Sequence, residues 1–309
     1  MSRTLNPRQA YGEELVALGA ENEAIVVLDA DLSKSTMSTL FEQAYPDRFF
    51  EMGIAEQNML SMAAGFAASG KIPFCSTFSV FAAGRAYDQI RQTIAIGRLN
   101  VKICGSSAGL SDFGDGSTHQ SVEDIALMSA IPGMTVMVPC DAEETRQAVR
   151  AAAKINGPVF IRVVRNDLPA LIPEGDVFTG EPRTLFVGSD VLLIAHGCMT
   201  ARAVDAALLL EGKGVSAKVL HTPILKPFPY EAIALMASKF KAVVTAEDHS
   251  FIGGLASAVA FALRESATPM TYVAIEDQFG QSAHALEELM EYYGLTAHHI
   301  AETALEILH

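Results

Sequence analysis

The segment 52–70, MGIAEQNMLSMAAGFAASG, sets a carboxylate where a helix should be apolar. At about 100° per residue, Met52, Met59, Leu60, Ala63, Phe66 and Ala67 share one face, and Gly53, Gln57 and Ser61 the other. Glu56 projects into the middle of the apolar face. An ionised carboxylate there is costly, so such a group is usually held neutral or hydrogen-bonded. Perturbed carboxylates of this kind collect at functional sites, and the competing reading is a Glu at a helix end that reaches water, or one paired with an Arg in the core. Other segments also carry reactive types. GDGSTHQ (114–120) holds Asp115 and His119 in a Gly-rich loop, and His119 can donate or accept near neutral pH. Arg165 follows an apolar run in IRVVRNDLP, and Arg suits two-point contact with an anion. Phe78 and Phe81 flank a turn in TFSVF, which composition alone reads as core packing. Arg85, in GRAYDQI, has Asp88 three residues on as a candidate helix-surface partner.

These residues must be positioned by short apolar runs that alternate with amphipathic stretches. AIVVLDAD (24–31), KIPFCSTF (71–78), NVKICGSS (100–107), MTVMVPC (134–140) and PVFIRVV (158–164) read as buried strands. Helices are expected over 84–96 and 142–154, the latter capped by Asp141. Strands alternating with helices imply a mainly parallel sheet covered on both faces. The pattern loosens over 166–189, which holds three prolines and three glycines, and reads as a linker. It restarts with strands at 191–197, 216–222 and 241–247 and helices at 201–213 and 254–263, and the last stretch is mostly helical.

The bulk numbers set limits. A length of 309 residues with 50% hydrophobic and 19% charged residues fits two globular domains. A net charge of −14 argues against nucleic acid or an anionic membrane as partner, because such binding needs surplus Lys and Arg. Cys75, Cys104, Cys140 and Cys198 show no C-x-x-C spacing, so a reducing, cytoplasmic setting is expected and a disulfide framework or zinc site is not. The N-terminal segment has no apolar signal core, and no apolar run is long enough to span a membrane.

FFEMGIAEQNMLSMAAGFA, TFSVFAAGRAYDQIR (77–91) and GDGSTHQSVEDIALMSAIPGMTVMVPCDAEE (114–144) together resemble the transketolase family, in that family's order. The resemblance implies a two-domain α/β fold. A doubly wound pyrimidine-binding domain would span 1–168, a linker 169–188, and a transketolase C-terminal domain 189–309. It implies thiamine diphosphate as cofactor, with Glu56 at the position of the glutamate that hydrogen-bonds N1′ of the aminopyrimidine. A carboxyl in a dry pocket can share a proton with such a ring nitrogen near neutral pH. It further implies that Phe78 and Phe81 line the aminopyrimidine pocket, that Arg85 reaches cofactor or substrate, and that Asp31 lies near the cofactor and the dimer contact. Asp115 and His119 match loop residues that contact the sugar hydroxyls, His119 with a catalytic role. Arg8, Ser35 and Arg165 match positions that grip the substrate's terminal phosphate. AEDH (246–249) followed by Gly253 and Gly254 resembles a surface loop of the C-terminal domain, in which His249 is structural.

Two features depart from the pattern. Ser107 stands near where transketolases carry another His. Gly114-Asp115-Gly116 imitates the family's magnesium motif, a GDG followed at a distance by Asn, but VPCDAEETR supplies no Asn, so it is rejected as a metal site. The diphosphate- and magnesium-binding domain is not in this sequence. A separate N-terminal transketolase subunit with the GDG–Asn motif is therefore expected as partner, in an α2β2 assembly. The starting Met and the intact Glu56 favour a natural subunit over a fragment or a relic. The expected activity is transfer of a two-carbon ketol unit between sugars or sugar phosphates. The alternatives are the β subunit of a 2-oxo acid dehydrogenase, a deoxyxylulose-phosphate-synthase-like decarboxylating enzyme, or a non-catalytic assembly module.

Overall fold

Strands such as IVVLD and VLLIA have no polar face, so each needs a covering layer on both sides, and the fold supplies it. The computed structural model describes residues 4–309, so the first three residues of the expected first domain lie outside the described residues. In chain order the strands are β1 (Thr4–Leu5), β2 (Ile25–Asp29), β3 (Phe49–Glu51), β4 (Ile72–Phe78), β5 (Lys102–Ser106), β6 (Thr135–Met137) and β7 (Val159–Arg162). They continue with β8 (Leu168–Pro169), β9 (Arg183–Phe186), β10 (Val191–Ala195), β11 (Ala217–His221), β12 (Ile224–Lys226), β13 (Ala242–Ser250) and β14 (Met270–Ile275).

One sheet runs β12-β6-β7-β5-β4-β2-β3 and is parallel except for β12. A second runs β14-β13-β10-β11-β9 and is parallel except for β9. This is the two-sheet α/β architecture that the alternation of elements implies. The stretch read as a linker contributes β8, which pairs with β1, and β9, which edges the second sheet. Conversely, β12 leaves the second half of the chain to join the first sheet. These short edge strands carry too few residues for a period to register.

Local chemistry sets the helix starts. Asp141 caps the helix Ala142–Lys154, its Oδ1 accepting from Glu144 N at 2.8 Å, as its sequence position implies. Asn6 caps Pro7–Glu21, with Pro7 pre-set at the first turn. The two sheets share an apolar core. Leu192, Ile194 and Val243 of the second sheet's strands belong to the same buried cluster as Met59, Ile103 and Ile125 of the first half. No helix among the described residues is long and apolar enough to cross a membrane.

Candidate active site

The helix that carries Glu56 begins at Glu56 itself and runs to Ala68, not from Met52 as the periodicity implies. Gly53, at φ +66°, takes a left-handed turn just before it, which breaks the helix that the apolar spacing would extend backwards. Glu56 is therefore the N-terminal end of the buried face, not its middle. It is 2% exposed and is followed along that face by Met59, Leu60, Ala63 and Ala64. Arg85 meets it: Nη1 donates to Oε1 and Oε2 at 3.3 Å each. Arg85 thus pairs with Glu56, not with Asp88.

Phe78 ends β4, and Phe81 opens an i→i+5 turn that runs to Arg85, with Ala86 N donating to Phe81 O. Such wide turns recur at functional sites because they re-aim side chains. The two rings stack with centroids 6.0 Å apart, and the His119 ring sets its edge against both, at 6.1 and 5.4 Å. Thr118 Oγ1 lies 2.9 Å from His119 Nδ1. The Arg85 guanidinium lies 4.6 Å over the Phe81 ring while it donates to Glu56. A flat, cationic donor therefore fits between that aromatic face and that carboxylate. An aminopyrimidine, flat and able to donate and accept, has the same requirements.

A second group forms at the same, carboxyl-terminal edge of the sheet. Arg8 Nη1 donates to the Ser35 carbonyl at 2.8 Å, and Arg165 Nη1 donates to Asp112 Oδ2 at 2.8 Å. Burial, with the positive charge of Arg165 next in weight, lowers the pKa of Arg8, so the two arginines are electrostatic neighbours. Arg8 Nε is buried without a hydrogen-bond partner among the described residues. Arg8, Ser35 and Arg165 are thereby brought together. Asp31 is exposed at φ +63°, and its N–H and that of Gly53 both donate to Glu51 Oε1, at 2.8 and 2.9 Å. Just before it, Asp29 is fully buried and accepts from Leu32 N, Thr36 Oγ1 and Ser38 Oγ. Burial pushes its carboxyl up to about 7. Asp115 is exposed on the loop that leads to His119.

Three features escaped the sequence reading. AEDH is not a surface loop: Glu247, Asp248 and His249 lie on β13 and are buried. Burial pushes Glu247 up to about 7, and burial followed by the charge of Arg162 pushes the neighbouring His196 down to about 3. Next, Arg162, read only as part of a strand, is fully enclosed and bonded to both Asp124 and Asp248. Burial alone would lower its pKa, but the two carboxylates win and raise it. Last, Cys140, Glu144 and His221 bring candidate metal-ligand atoms within 4.8 Å of one another. Glu144 Oε2 already accepts from Cys140 N and lies 2.7 Å from His221 Nε2, and His221 Nδ1 lies 3.0 Å from Thr200 Oγ1. The cluster is thus satisfied as a hydrogen-bonded joint between the two sheets. The four cysteines are free and buried.

Residues 3–170 match the family model for the transketolase pyrimidine-binding domain, and residues 180–300 match that for the transketolase C-terminal domain. The chain belongs to the transketolase family. A split-gene transketolase solved as an inactive β4 tetramer is 47% identical, superposes with a TM-score of 0.90, and is matched over 98% of both chains. A 6-deoxy-6-sulfo-D-fructose transketolase subunit of Clostridium sp. is 41% identical over 97% of this chain and 94% of its own. One of the subunits of the apulose-4-phosphate transketolase of Phocaeicola vulgatus is 34% identical over 97% of each. Like these, the chain is a transketolase C-terminal or β-type subunit. The transketolase family depends on thiamine diphosphate, and the matched pyrimidine-binding domain carries Glu56, Phe78, Phe81 and His119.

Proposed function

We propose that this chain is the pyrimidine-binding subunit of a split transketolase that moves a two-carbon ketol unit between phosphorylated sugars. Thiamine diphosphate would be shared with a separate N-terminal-type subunit that holds the diphosphate and magnesium, in an α2β2 assembly. The observation that carries this reading is the enclosed Glu56 carboxylate beside the Phe81 face, closed at present by Arg85 of the same chain. When bound, the cofactor supplies a nucleophilic carbon at which carbon–carbon bonds break and form. Glu56 holds a hydrogen bond at the ring nitrogen in a water-poor pocket, where such a bond is strongest. Phe81 and Phe78 give the ring its flat wall. Arg85, half exposed, swings off Glu56 to admit it and then reaches cofactor or substrate. His119 exchanges a proton at the substrate's oxygen as a carbonyl interconverts with a hydroxyl, and Asp115 accepts from sugar hydroxyls. Arg8, with its unpartnered Nε–H, joins Ser35 and Arg165 in holding a terminal phosphate.

The helix of Glu56 also supports a partner at this edge. Its exposed residues Gln57, Asn58, Ser61, Met62, Gly65 and Ala68 carry no charge, in a chain of net charge −14. An uncharged strip beside a half-built site suits a protein contact. The inactive β4 form of the split-gene homologue agrees with a half-site that needs a partner. Free, buried cysteines fit a reducing cytoplasm.

The test is native co-purification, followed by assay of the assembled enzyme with a ketose phosphate or pyruvate as donor. Aldose release from the ketose phosphate, dependent on thiamine diphosphate, supports the reading. Turnover of pyruvate with loss of carbon dioxide replaces it with the decarboxylating alternative, and a chain that purifies without partner or cofactor leaves the site without its chemistry.

A further inference from the structure

We infer that Arg162 is a positioning residue, through which Asp248 of the second sheet holds both walls of the pyrimidine pocket in place. No residue so far placed at the pocket or the phosphate cluster comes from beyond Arg165, which leaves the second sheet without a part in the site. A continuous set of buried bonds supplies one. Asp248 Oδ1 accepts from Arg162 Nη1 at 2.8 Å, and its carbonyl accepts from Nη2 at 3.1 Å. On its other side Arg162 Nε donates to Asp124 Oδ1 and Oδ2 at 3.1 and 2.9 Å. Asp124 Oδ2 then accepts from Ser79 Oγ at 2.6 Å. Ser79 is the residue after Phe78 and two before Phe81, so this bond pins the turn on which both rings sit.

The same guanidinium supports the opposite wall. Gly109 is at φ +60°, and a Cβ there would lie 2.0 Å from Asp248 Oδ2 and 2.9 Å from Arg162 Nη2, so its backbone is packed directly on the pair. Gly109 exchanges backbone hydrogen bonds with Ser121, closing the neck of the loop that carries Asp115 and His119. The aromatic turn and the histidine loop therefore share one support, and their ring contacts at 5.4 and 6.1 Å report its geometry. Arginine suits the node: its planar fork fixes two carboxylates at a set angle, which a lysine cannot do. Charges enclosed this fully are tolerated only when each is paired, so the arrangement has little freedom to drift.

The test reads the His119 ring by NMR in the isolated chain at fixed pH, with 13C-labelled histidine, in Asp248→Asn and Ser79→Ala. Glu144→Gln serves as control, because it weakens a different joint between the sheets, the one to His221. Both test variants are expected to shift the His119 ring resonances, since the flanking Phe78 and Phe81 rings move, while the control leaves them in place. An unmoved His119 signal in a folded Asp248→Asn overturns the inference. So does an equal shift in Glu144→Gln, which would mean general loosening. If Asp248→Asn does not fold, Ser79→Ala decides, because it leaves every buried charge in place. The consequence for turnover rests on the function proposed above: in the assembled enzyme kcat falls by up to about a hundredfold, the scale of a small misplacement of reacting groups, with KM for the sugar phosphate little changed. The NMR outcome stands apart from that reading, so failure of one is distinguishable from failure of the other.

Discussion

At the residue scale, two carboxylates near the end of the first sheet make opposite use of burial. Glu56 has a cationic partner and an open approach through Arg85. Glu56→Gln keeps its shape and its burial but cannot share a proton with a ring nitrogen. In the assembled enzyme it should remove nearly all turnover while thermal melting of the chain stays within a few degrees. Near-normal activity would dismiss Glu56 from its role. Asp29 has no cation beside it among the described residues, and burial pushes it up to about 7. The folded chain therefore binds more protons than the unfolded one between about pH 4 and pH 7. This contribution is fully present below the unfolded pKa near 4 and is lost as pH rises through 7. Asp29→Asn should gain on the wild type across that window, by on the order of 2–4 kcal/mol at pH 8 relative to pH 4. Urea denaturation at stepped pH measures it, and a pH-independent offset between the two proteins would contradict the assignment.

At the scale of elements, the proposed phosphate cluster is made where three loops end. Arg8 stands in the first turn of Pro7–Glu21, Ser35 in the short helix after β2, and Arg165 in the loop after β7. None is fixed by a long strand, and Arg165 is braced by Asp112. Arg165→Ala should raise KM for phosphorylated sugars by roughly ten- to a hundredfold while changing KM for free sugars little, since one charge-assisted contact contributes roughly 1.5–3 kcal/mol. Equal effects on both substrates would remove the phosphate role. The individual residues of this cluster stood out in the sequence only through family resemblance, because three loop ends have no shared period. The helix Ala142–Lys154 and its Asp141 cap were legible without that help, since a cap and its helix are neighbours in the chain.

At the scale of the whole molecule, the uncharged strip along Glu56–Ala68 is the face proposed above to receive the partner. Gly65 lies in its middle, exposed, with open space where a side chain would stand. Gly65→Glu should leave the isolated chain at least as stable, because Gly costs about 1 kcal/mol inside a helix. It should nevertheless abolish co-purification of the partner, because it sets a charge in the contact. Retained assembly, read by size-exclusion chromatography with light scattering, would move the interface elsewhere.

The sequence by itself determined the α/β alternation and the buried strands β2, β4, β5 and β7, and through family resemblance it singled out Glu56, His119 and the two phenylalanines as the residues to test. Those are properties of adjacent residues: apolar runs, caps, Gly-rich turns and motifs in order. Only the tertiary structure decided that Arg85 pairs with Glu56 across 29 positions and not with Asp88 beside it. It also decided that the helix starts at Glu56 after the left-handed Gly53, and that AEDH is an enclosed strand facing Arg162, 86 positions from Asp248. A period in the sequence reports which face of an element is apolar. It carries no information about which distant charge the packed sheets will enclose against that face, and here the enclosure decides which charges meet.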